Sequence, residues 1–289
     1  MSEGQADMRP LTAGVMGWPI AQTKSPVLFD HWFAAEGIAG RYIPLAVRPE
    51  DFEAVYAALP RMGLRGVNVT VPHKEAALAL AEEATPTARA IGAANMIRFT
   101  PEGRRIADNT DAYGFLENLR ARAPGWVPGA APALVLGAGG AARAVVRALA
   151  EAGVTEIRLT NRTVERAEVL VPLADGTGAR VVVVPWASRA AALEGVGLLV
   201  NATSLGMTGK APLEMDLGAM GPGTVVNDLV YAPLETALLA GARAAGGIVV
   251  DGLGMLLHQA RPAFRAWFGA DPTVDDALRA ACLGSGGAS

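Results

Sequence analysis

One stretch, residues 133–166, constrains the fold of this chain more than any other. It opens with the short apolar run Ala133–Leu136, continues into a glycine-rich turn, and becomes an alanine-rich segment with helical spacing that ends at Gly153. A second strand-like run follows at Glu156–Thr160. The order strand, glycine turn, helix, strand is typical of parallel α/β units that bind dinucleotides. We therefore predict such a domain around this stretch.

The turn has small residues where a dinucleotide site needs them. Gly137 allows a sharp turn off the strand, Gly139 lets the backbone approach a pyrophosphate, and Ala142 lets the helix lie close to the sheet. The start of the helix adds free N–H groups and a partial positive charge. A glycine turn before an alanine-rich helix also arises from packing alone, so the flanking strand and helix matter to the prediction. The predicted cofactor residues here are Gly137, Gly139, Gly140 and Ala141.

The end of the second strand indicates which dinucleotide binds. NAD-binding units usually place an acidic residue there, whereas this chain has Asn161-Arg162-Thr163, with Arg166 one turn on. A guanidinium can clamp a 2′-phosphate that a carboxylate would repel. We predict NADP, bound through Asn161, Arg162, Thr163 and Arg166; the alternative is a solvated arginine pair at a helix start.

Length and composition favour two domains and exclude some functions. The chain has 289 residues, and 51% of them are apolar, which is enough to cover both faces of a parallel sheet. Its 25 Lys+Arg against 28 Asp+Glu leave a net charge of −3, so neither a nucleic acid nor a membrane surface is an expected partner. The sequence predicts no signal peptide and no membrane span. A single cysteine, Cys282, and three scattered histidines predict a cytoplasmic protein without a metal site.

The first part of the chain also alternates strands and helices. Ser25-Pro26 is predicted to cap a helix, Ile43-Pro44-Leu45 to form an edge strand, and Asp111 to begin a helix that runs to about Arg122. We predict an α/β fold of two domains with a cleft between them. Residues 1–111, completed by C-terminal helices over 254–289, form a substrate domain, and residues 112–253 form a Rossmann-like NADP-binding domain.

A hydride-transfer enzyme also needs a group that exchanges a proton with the alcohol. Lys74, at a strand–helix junction, and Asp111, at a helix start, are the predicted pair. Each alone could be a surface ion or a helix cap, but other polar residues stand at element ends, where α/β folds present ligands. Those residues are Ser25, Thr70, Asn95 and Thr110.

Eight segments together resemble the shikimate dehydrogenase family, in the order that the family has them. They are GWPIAQTKSP, GVNVTVPHKE, IGAANMI, DNTDAYGF, VLGAGGAARA, NRTVERA, NATSLGM and DGLGMLLHQA. The resemblance covers nearly the whole chain, and NVTVPHK, DNTD and DGLGMLLHQA are its most specific parts. It implies reversible reduction of 3-dehydroshikimate with NADPH, in aromatic amino-acid biosynthesis, and two domains around a cleft.

The resemblance also implies roles for individual residues. Lys74 and Asp111 match the family's catalytic positions, and Thr23 and Ser25 match the hydroxyls that hold the substrate carboxylate. Contacts to the ring hydroxyls fall on Thr70, Asn95, Tyr231 and Gln259, with Thr110 beside them. Cofactor contacts fall on Thr203, Gly252 and Met255, the last two near the nicotinamide.

One departure from the family pattern, at Thr23, bears on substrate specificity. The family commonly has serine where this chain has Thr23, whose extra methyl group reshapes the carboxylate end of the pocket and leaves shikimate and quinate both open. His73, next to Lys74, is predicted to be a packing residue.

Three alternatives to the function of shikimate dehydrogenase stay open. They are a quinate/shikimate dehydrogenase, an enzyme like methylenetetrahydrofolate dehydrogenase, or a dinucleotide-sensing regulator without activity. A monomer and a homodimer are both open.

Overall fold

The computed structural model describes residues 10–284, which form two compact units. The first unit runs up to Thr110 and resumes at Ala260, and the second is Asp111–Gln259. Helix α9, at Leu253–Phe268, continues from the second unit into the first. The α/β class predicted from the sequence is confirmed. Within residues 10–284, no helix combines the length and apolarity required to cross a bilayer.

The first unit contains a six-stranded mixed sheet in the order β2-β1-β3-β5-β6-β4. Its strands are β1 Thr12–Gly17, β2 Arg41–Ala46, β3 Gly66–Val69, β4 Glu83–Ala84, β5 Met96–Phe99 and β6 Arg105–Asp108. Its helices are α1 Ser25–Ala35, α2 Phe52–Ala58, α3 Lys74–Ala79, α4 Pro86–Ile91 and α10 Asp276–Gly284. β2, which contains Pro44, lies at the edge of the sheet as predicted, because proline has no N–H to donate to a neighbouring strand.

Ser25 does not cap α1 as predicted. Lys24 holds the N-cap position, no side chain within residues 10–284 caps the helix, and Ser25 is the first helical residue. The reason is local, since the Ser25 hydroxyl lies 3.2 Å from that of Thr23, which donates to it. The Phe29 ring of α1 stacks on Tyr42 at 3.8 Å and lies 5.7 Å from Phe264 of α9.

The second unit contains a six-stranded parallel sheet in the order β12-β11-β10-β7-β8-β9. Its strands are β7 Ala133–Leu136, β8 Glu156–Asn161, β9 Arg180–Pro185, β10 Leu198–Asn201, β11 Val225–Asp228 and β12 Ile248–Val250. Its helices are α5 Asp111–Arg122, α6 Gly140–Glu151, α7 Val164–Glu168 and α8 Ala237–Ala244, with the start of α9. This is the Rossmann strand order, in which the chain reverses its direction of winding between β7 and β10.

Two helices of the second unit have limits set by local chemistry. Helix α7 ends at Glu168, and a separate 3₁₀ turn, Val171–Ala174, contains Pro172, which has no N–H to donate. Helix α8 begins at Ala237, because the Thr236 hydroxyl accepts the Leu239 N–H and sets the first turn there.

Candidate functional site

The turn after β7 lies at the point where the parallel sheet reverses its winding. Gly137 has φ +109°, and a Cβ built on it would lie 3.0 Å from the Ala202 carbonyl oxygen and 3.0 Å from the Thr203 methyl carbon. Both neighbours follow β10, the strand beside β7. Neither the backbone angle nor the space admits a side chain, so glycine is required for this close approach.

The start of α6 offers unoccupied backbone donors. Gly139 is its N-cap residue in an extended conformation, and none of the described side chains caps the helix. A Cβ on Gly139 would meet nothing within 4 Å, so there is open space beside the turn. Gly140 and Ala141 are the first two helical residues, and the N–H groups of a first turn have no partner within the helix. This end of the helix fits a pyrophosphate.

Two arginines stand near the end of β8. Both Arg162 and Arg166 are exposed, and neither makes a hydrogen bond or ion pair within residues 10–284. The Asn161 amide donates to the Thr163 carbonyl at 2.8 Å and so braces the turn that contains Arg162. Two free guanidinium groups, with no carboxylate at the strand end, fit a 2′-phosphate and therefore NADP.

A chain of hydrogen-bonded polar groups crosses the first unit. It begins at Thr23 and Ser25, whose hydroxyls are hydrogen-bonded to each other. The Tyr42 hydroxyl is hydrogen-bonded with Ser25 and donates to the Asn68 side-chain oxygen at 2.7 Å. Burial raises the pKa of Tyr42 well above its ordinary value, which keeps the phenol protonated as a donor.

The same chain of polar groups continues across β3, β5 and β6. The Asn68 amide donates to the Asn95 carbonyl at 3.0 Å, and the Asn95 amide donates to the Thr110 hydroxyl at 3.0 Å. The Asn95 side-chain oxygen accepts the Thr110 N–H at 2.8 Å. Four of the predicted substrate residues are thus joined by a hydrogen-bonded network, and Tyr42 and Asn68 are the links that the sequence prediction lacked.

Lys74 lies at the first position of α3, beside this network. Its carbonyl accepts the Ala94 N–H at 2.9 Å, so its backbone is adjacent to the residue before Asn95, and the side chain is half-buried. Thr70 directly follows β3, and its N–H donates to the Met16 carbonyl at 2.9 Å. His73 is a packing residue as predicted: a ring nitrogen lies 2.8 Å from the Val47 carbonyl oxygen, and the ring stacks on a phenylalanine.

In the second unit, α5 lies against the start of α9. Asp111 is buried at the first position of α5. One turn later, a Cβ built on Gly114 would lie 2.8 Å from the Met255 carbonyl oxygen and 2.6 Å from the Gln259 Cβ. Asn118, a further turn along, donates its amide to the Asp251 carbonyl at 2.8 Å. Met255 and Gln259 are therefore fixed against the helix that Asp111 begins.

The remaining predicted residues lie on the loops that follow β11 and β12. Tyr231 is half-buried, and burial raises its pKa. Gly252 is in close contact with the Leu229 carbonyl, so a side chain at 252 has no space. Among the site residues, Thr23, Ser25, Thr70, Lys74, Asn95 and Thr110 belong to the first unit, and all the others belong to the second.

Sequence profiles of three domains match the chain. The shikimate dehydrogenase substrate binding domain matches residues 15–97, the shikimate/quinate 5-dehydrogenase domain matches 128–206, and the shikimate 5′-dehydrogenase C-terminal domain matches 252–282. The NADP(+)-dependent shikimate dehydrogenase of Paramagnetospirillum magneticum is 57% identical over 271 residues, which are 94% of this chain and 97% of that protein.

This chain belongs to the shikimate dehydrogenase family. It is therefore an oxidoreductase rather than a regulator without activity, and the likeness to methylenetetrahydrofolate dehydrogenase is set aside.

Solved structures of two activities in the family have this fold. The shikimate 5-dehydrogenase of Thermus thermophilus, in complex with NADP(H) and shikimate, is 38% identical, with a TM-score of 0.83 over 95% of this chain and 99% of that one. The quinate dehydrogenase of Corynebacterium glutamicum, in complex with NAD, is 29% identical, with a TM-score of 0.87 over 95% and 99%. The fold is thus common to both activities, and the side chains decide between them.

Proposed function

We propose that this chain catalyses the reversible, NADPH-dependent reduction of the ketone of 3-dehydroshikimate to the alcohol of shikimate, a step of aromatic amino-acid biosynthesis. The observation that carries the proposal is the 57% identity to an NADP(+)-dependent shikimate dehydrogenase over 94% of the chain. Arg162 and Arg166, whose guanidinium groups have no partner within residues 10–284, support NADP as the cofactor.

The network of the first unit suits a small acid with several hydroxyl groups. Thr23 and Ser25 are the proposed carboxylate donors, because two adjacent hydroxyls can each donate to a carboxylate oxygen. Asn95 and Thr110 are held in fixed orientation by their mutual hydrogen bonds, which favours selective contact with ring hydroxyls. Thr70, Tyr231 and Gln259 are proposed to complete the ring contacts.

Lys74 and Asp111 are proposed to handle the proton. In the reductive direction, an ammonium group at Lys74 donates a proton to the carbonyl oxygen as negative charge develops there. Asp111, buried at the start of α5, is proposed to orient that ammonium group toward the carbonyl oxygen. Bound NADPH supplies the hydride.

The residues present fit the proposed cofactor. Gly137 and Gly139 leave space for the pyrophosphate beside the uncapped start of α6, while Arg162 and Arg166 are free for the 2′-phosphate. Thr203, Gly252 and Met255 are proposed to border the nicotinamide half, with Ala141, Asn161 and Thr163 contributing at the phosphate and ribose positions.

Quinate is the second candidate substrate. Two observations favour quinate as an alternative substrate. They are the likeness to a quinate dehydrogenase, with a TM-score of 0.87, and the extra methyl group of Thr23. Steady-state kinetics with shikimate and quinate, each with NADP and with NAD, test the proposal. We expect the highest kcat/KM for shikimate with NADP. A higher value for quinate would favour the second candidate, and no turnover of either acid would refute the proposed function.

The assembly and location are proposed with the function. We infer that the protein is a monomer or a homodimer. A cytoplasmic location is proposed because the single cysteine is buried and cannot form a disulfide within the chain. Analytical ultracentrifugation across a range of concentrations would distinguish the two assemblies, and a larger particle would contradict both.

A further inference from the structure

A buried carboxylate with no part in the proposed chemistry ends strand β11. Asp228 is 0% exposed, and its side chain accepts three hydrogen bonds. One oxygen accepts the Asn201 amide at 2.8 Å and the Val230 N–H at 3.0 Å, and the other accepts the Thr236 hydroxyl at 2.7 Å. All three donors are neutral, and burial raises the pKa of Asp228. Burying a carboxylate is unfavourable, so its position calls for a reason.

The first branch of this arrangement leads to the loop after β10. Asn201, which donates to Asp228, accepts the Thr203 N–H at 3.0 Å and the Thr203 hydroxyl at 2.7 Å. The Thr203 hydroxyl also accepts the Leu205 N–H at 3.0 Å. The Thr203 methyl group is one of the atoms that leave no space for a side chain on Gly137. Asp228 is therefore linked through one amide to the wall beside the glycine turn.

The second branch leads to the loop after β11. Asp228 holds the Val230 N–H directly, and the carbonyls of Leu229 and Val230 lie against Gly252, where they leave no space for a Cβ. Tyr231 follows immediately. Thr236, bonded to the other carboxylate oxygen, accepts the Leu239 N–H at 3.3 Å and begins α8. One carboxylate thus fixes the loop that borders Gly252 as well as the loop that contains Thr203.

We propose that Asp228 is a positioning residue for the nicotinamide half of the cofactor. It acts by holding the loops after β10 and β11 at a fixed separation at the carboxyl ends of neighbouring strands, where this fold binds its ligand. The inference rests on the proposed function, since it names what sets the geometry of that same site. Three groups, one at the end of β10 and two in the loop after β11, converge on this side chain, and its two terminal polar atoms reach all of them.

Two substitutions and one control separate positioning from general stability. Asp228→Ala removes all three acceptor contacts. Asp228→Asn keeps one oxygen for Asn201 and Val230, and its amide can donate to the Thr236 hydroxyl, which has a second acceptor site. The control is Thr224→Val, at the residue before β11 begins. It removes hydrogen bonds to the Val196 and Gly221 carbonyls at the opposite end of the strand from Asp228.

Binding to the protein without substrate is the main measurement. The probes are NADPH and adenosine 2′,5′-bisphosphate, which has the 2′-phosphate but lacks the nicotinamide. We expect Asp228→Ala to weaken NADPH binding about tenfold, or about 1.4 kcal/mol, and to leave bisphosphate binding within about twofold. Asp228→Asn and Thr224→Val should bind both probes as the unaltered chain does. In the cofactor-free protein, hydrogen exchange at the Thr203 and Val230 amides should accelerate in Asp228→Ala alone.

Any one of four results would overturn the inference. Three of them are unchanged NADPH binding in Asp228→Ala, equal weakening of both probes, and an equal loss of NADPH affinity in Thr224→Val. An Asp228→Asn variant as impaired as Asp228→Ala would also overturn it, because the hydrogen-bond geometry would then not be the cause. Failure of the proposed function is distinct: the unaltered chain would not oxidise shikimate, whatever the probes show.

Discussion

Glycine 114 offers a sharp test of how α5 fixes the site. A Cβ at this position would lie 2.6 Å from the Gln259 Cβ, 2.8 Å from the Gln259 nitrogen and 2.8 Å from the Met255 carbonyl oxygen. Two carbon atoms in favourable contact lie at least about 3.5 Å apart. Gly114→Ala must therefore move α5 and the start of α9 apart by roughly 0.9 Å, the shortfall between the two Cβ atoms, because the other atoms in the way belong to the backbone.

The effect on stability should be small while the effect on catalysis is large. Alanine gains about 1 kcal/mol over glycine in a helix interior, which offsets part of an overpacking cost of about 1–3 kcal/mol. The net loss is at most about 2 kcal/mol, or a fall in Tm of no more than about 8 °C. Asp111 lies three residues before Gly114, on the same helix. A misplacement near 1 Å can cost about 10²-fold in rate, so we expect kcat to fall by about 10- to 100-fold.

The assay is shikimate oxidation with NADP, followed by absorbance of the reduced cofactor, at a temperature well below both Tm values. Gly125→Ala is the matched control, because a Cβ there meets nothing within 4 Å and its φ is not positive. It should leave kcat unchanged. A Gly114→Ala variant with kcat within about twofold of the unaltered chain would refute the reasoning, since the helices would then tolerate the displacement.

Three further predictions concern the proton, the cofactor and pH. Lys74→Ala should lower kcat by about 10²- to 10⁴-fold and leave NADPH binding intact in calorimetry; turnover near that of the unaltered chain would remove Lys74 from its proposed role. Arg162→Asp should shift the ratio of kcat/KM values toward NAD, and an unchanged ratio would count against the phosphate clamp. The Arg105 guanidinium lowers the pKa of Glu82 from 4.5 to about 2, so that pair stabilises the fold above the unfolded pKa and loses its effect as pH falls toward 2. The difference in Tm between the unaltered chain and Glu82→Gln should become smaller as the pH falls from 4.5 to about 2. A constant difference would contradict this prediction.

Local features of the site could be predicted from the sequence. Gly137 stands where the backbone adopts φ +109°, and that requirement is visible in the order strand, glycine, helix. Arg162 was identified because it follows a strand of the dinucleotide unit, and the structure leaves it free of partners within residues 10–284. The prediction of Ser25 as a helix cap is wrong, because its hydroxyl is hydrogen-bonded to that of Thr23 instead.

Other features could not be predicted from the sequence because they depend on residues far apart in it. Tyr42 looks like an ordinary strand aromatic until its hydroxyl is seen to reach Asn68, 26 residues later. Gly114 gave one weak signal, a glycine inside a helix, which often marks a close approach. Asp228 has no such sequence signal. A carboxylate at the end of a strand is expected to be exposed to solvent unless the neighbouring strand is known.

The amino-acid sequence by itself determined the order of elements, the glycine turn and the arginine pair. Backbone angles, and hydrogen bonds between residues close together in the sequence, depend only on neighbouring residues. Only the tertiary structure decided that β10 lies beside β7, so that Thr203 closes on Gly137, and that Asn118 holds the Asp251 carbonyl across 133 residues. Such contacts form when strands and helices come together to bury apolar surface, and that choice of neighbours is a property of the whole fold.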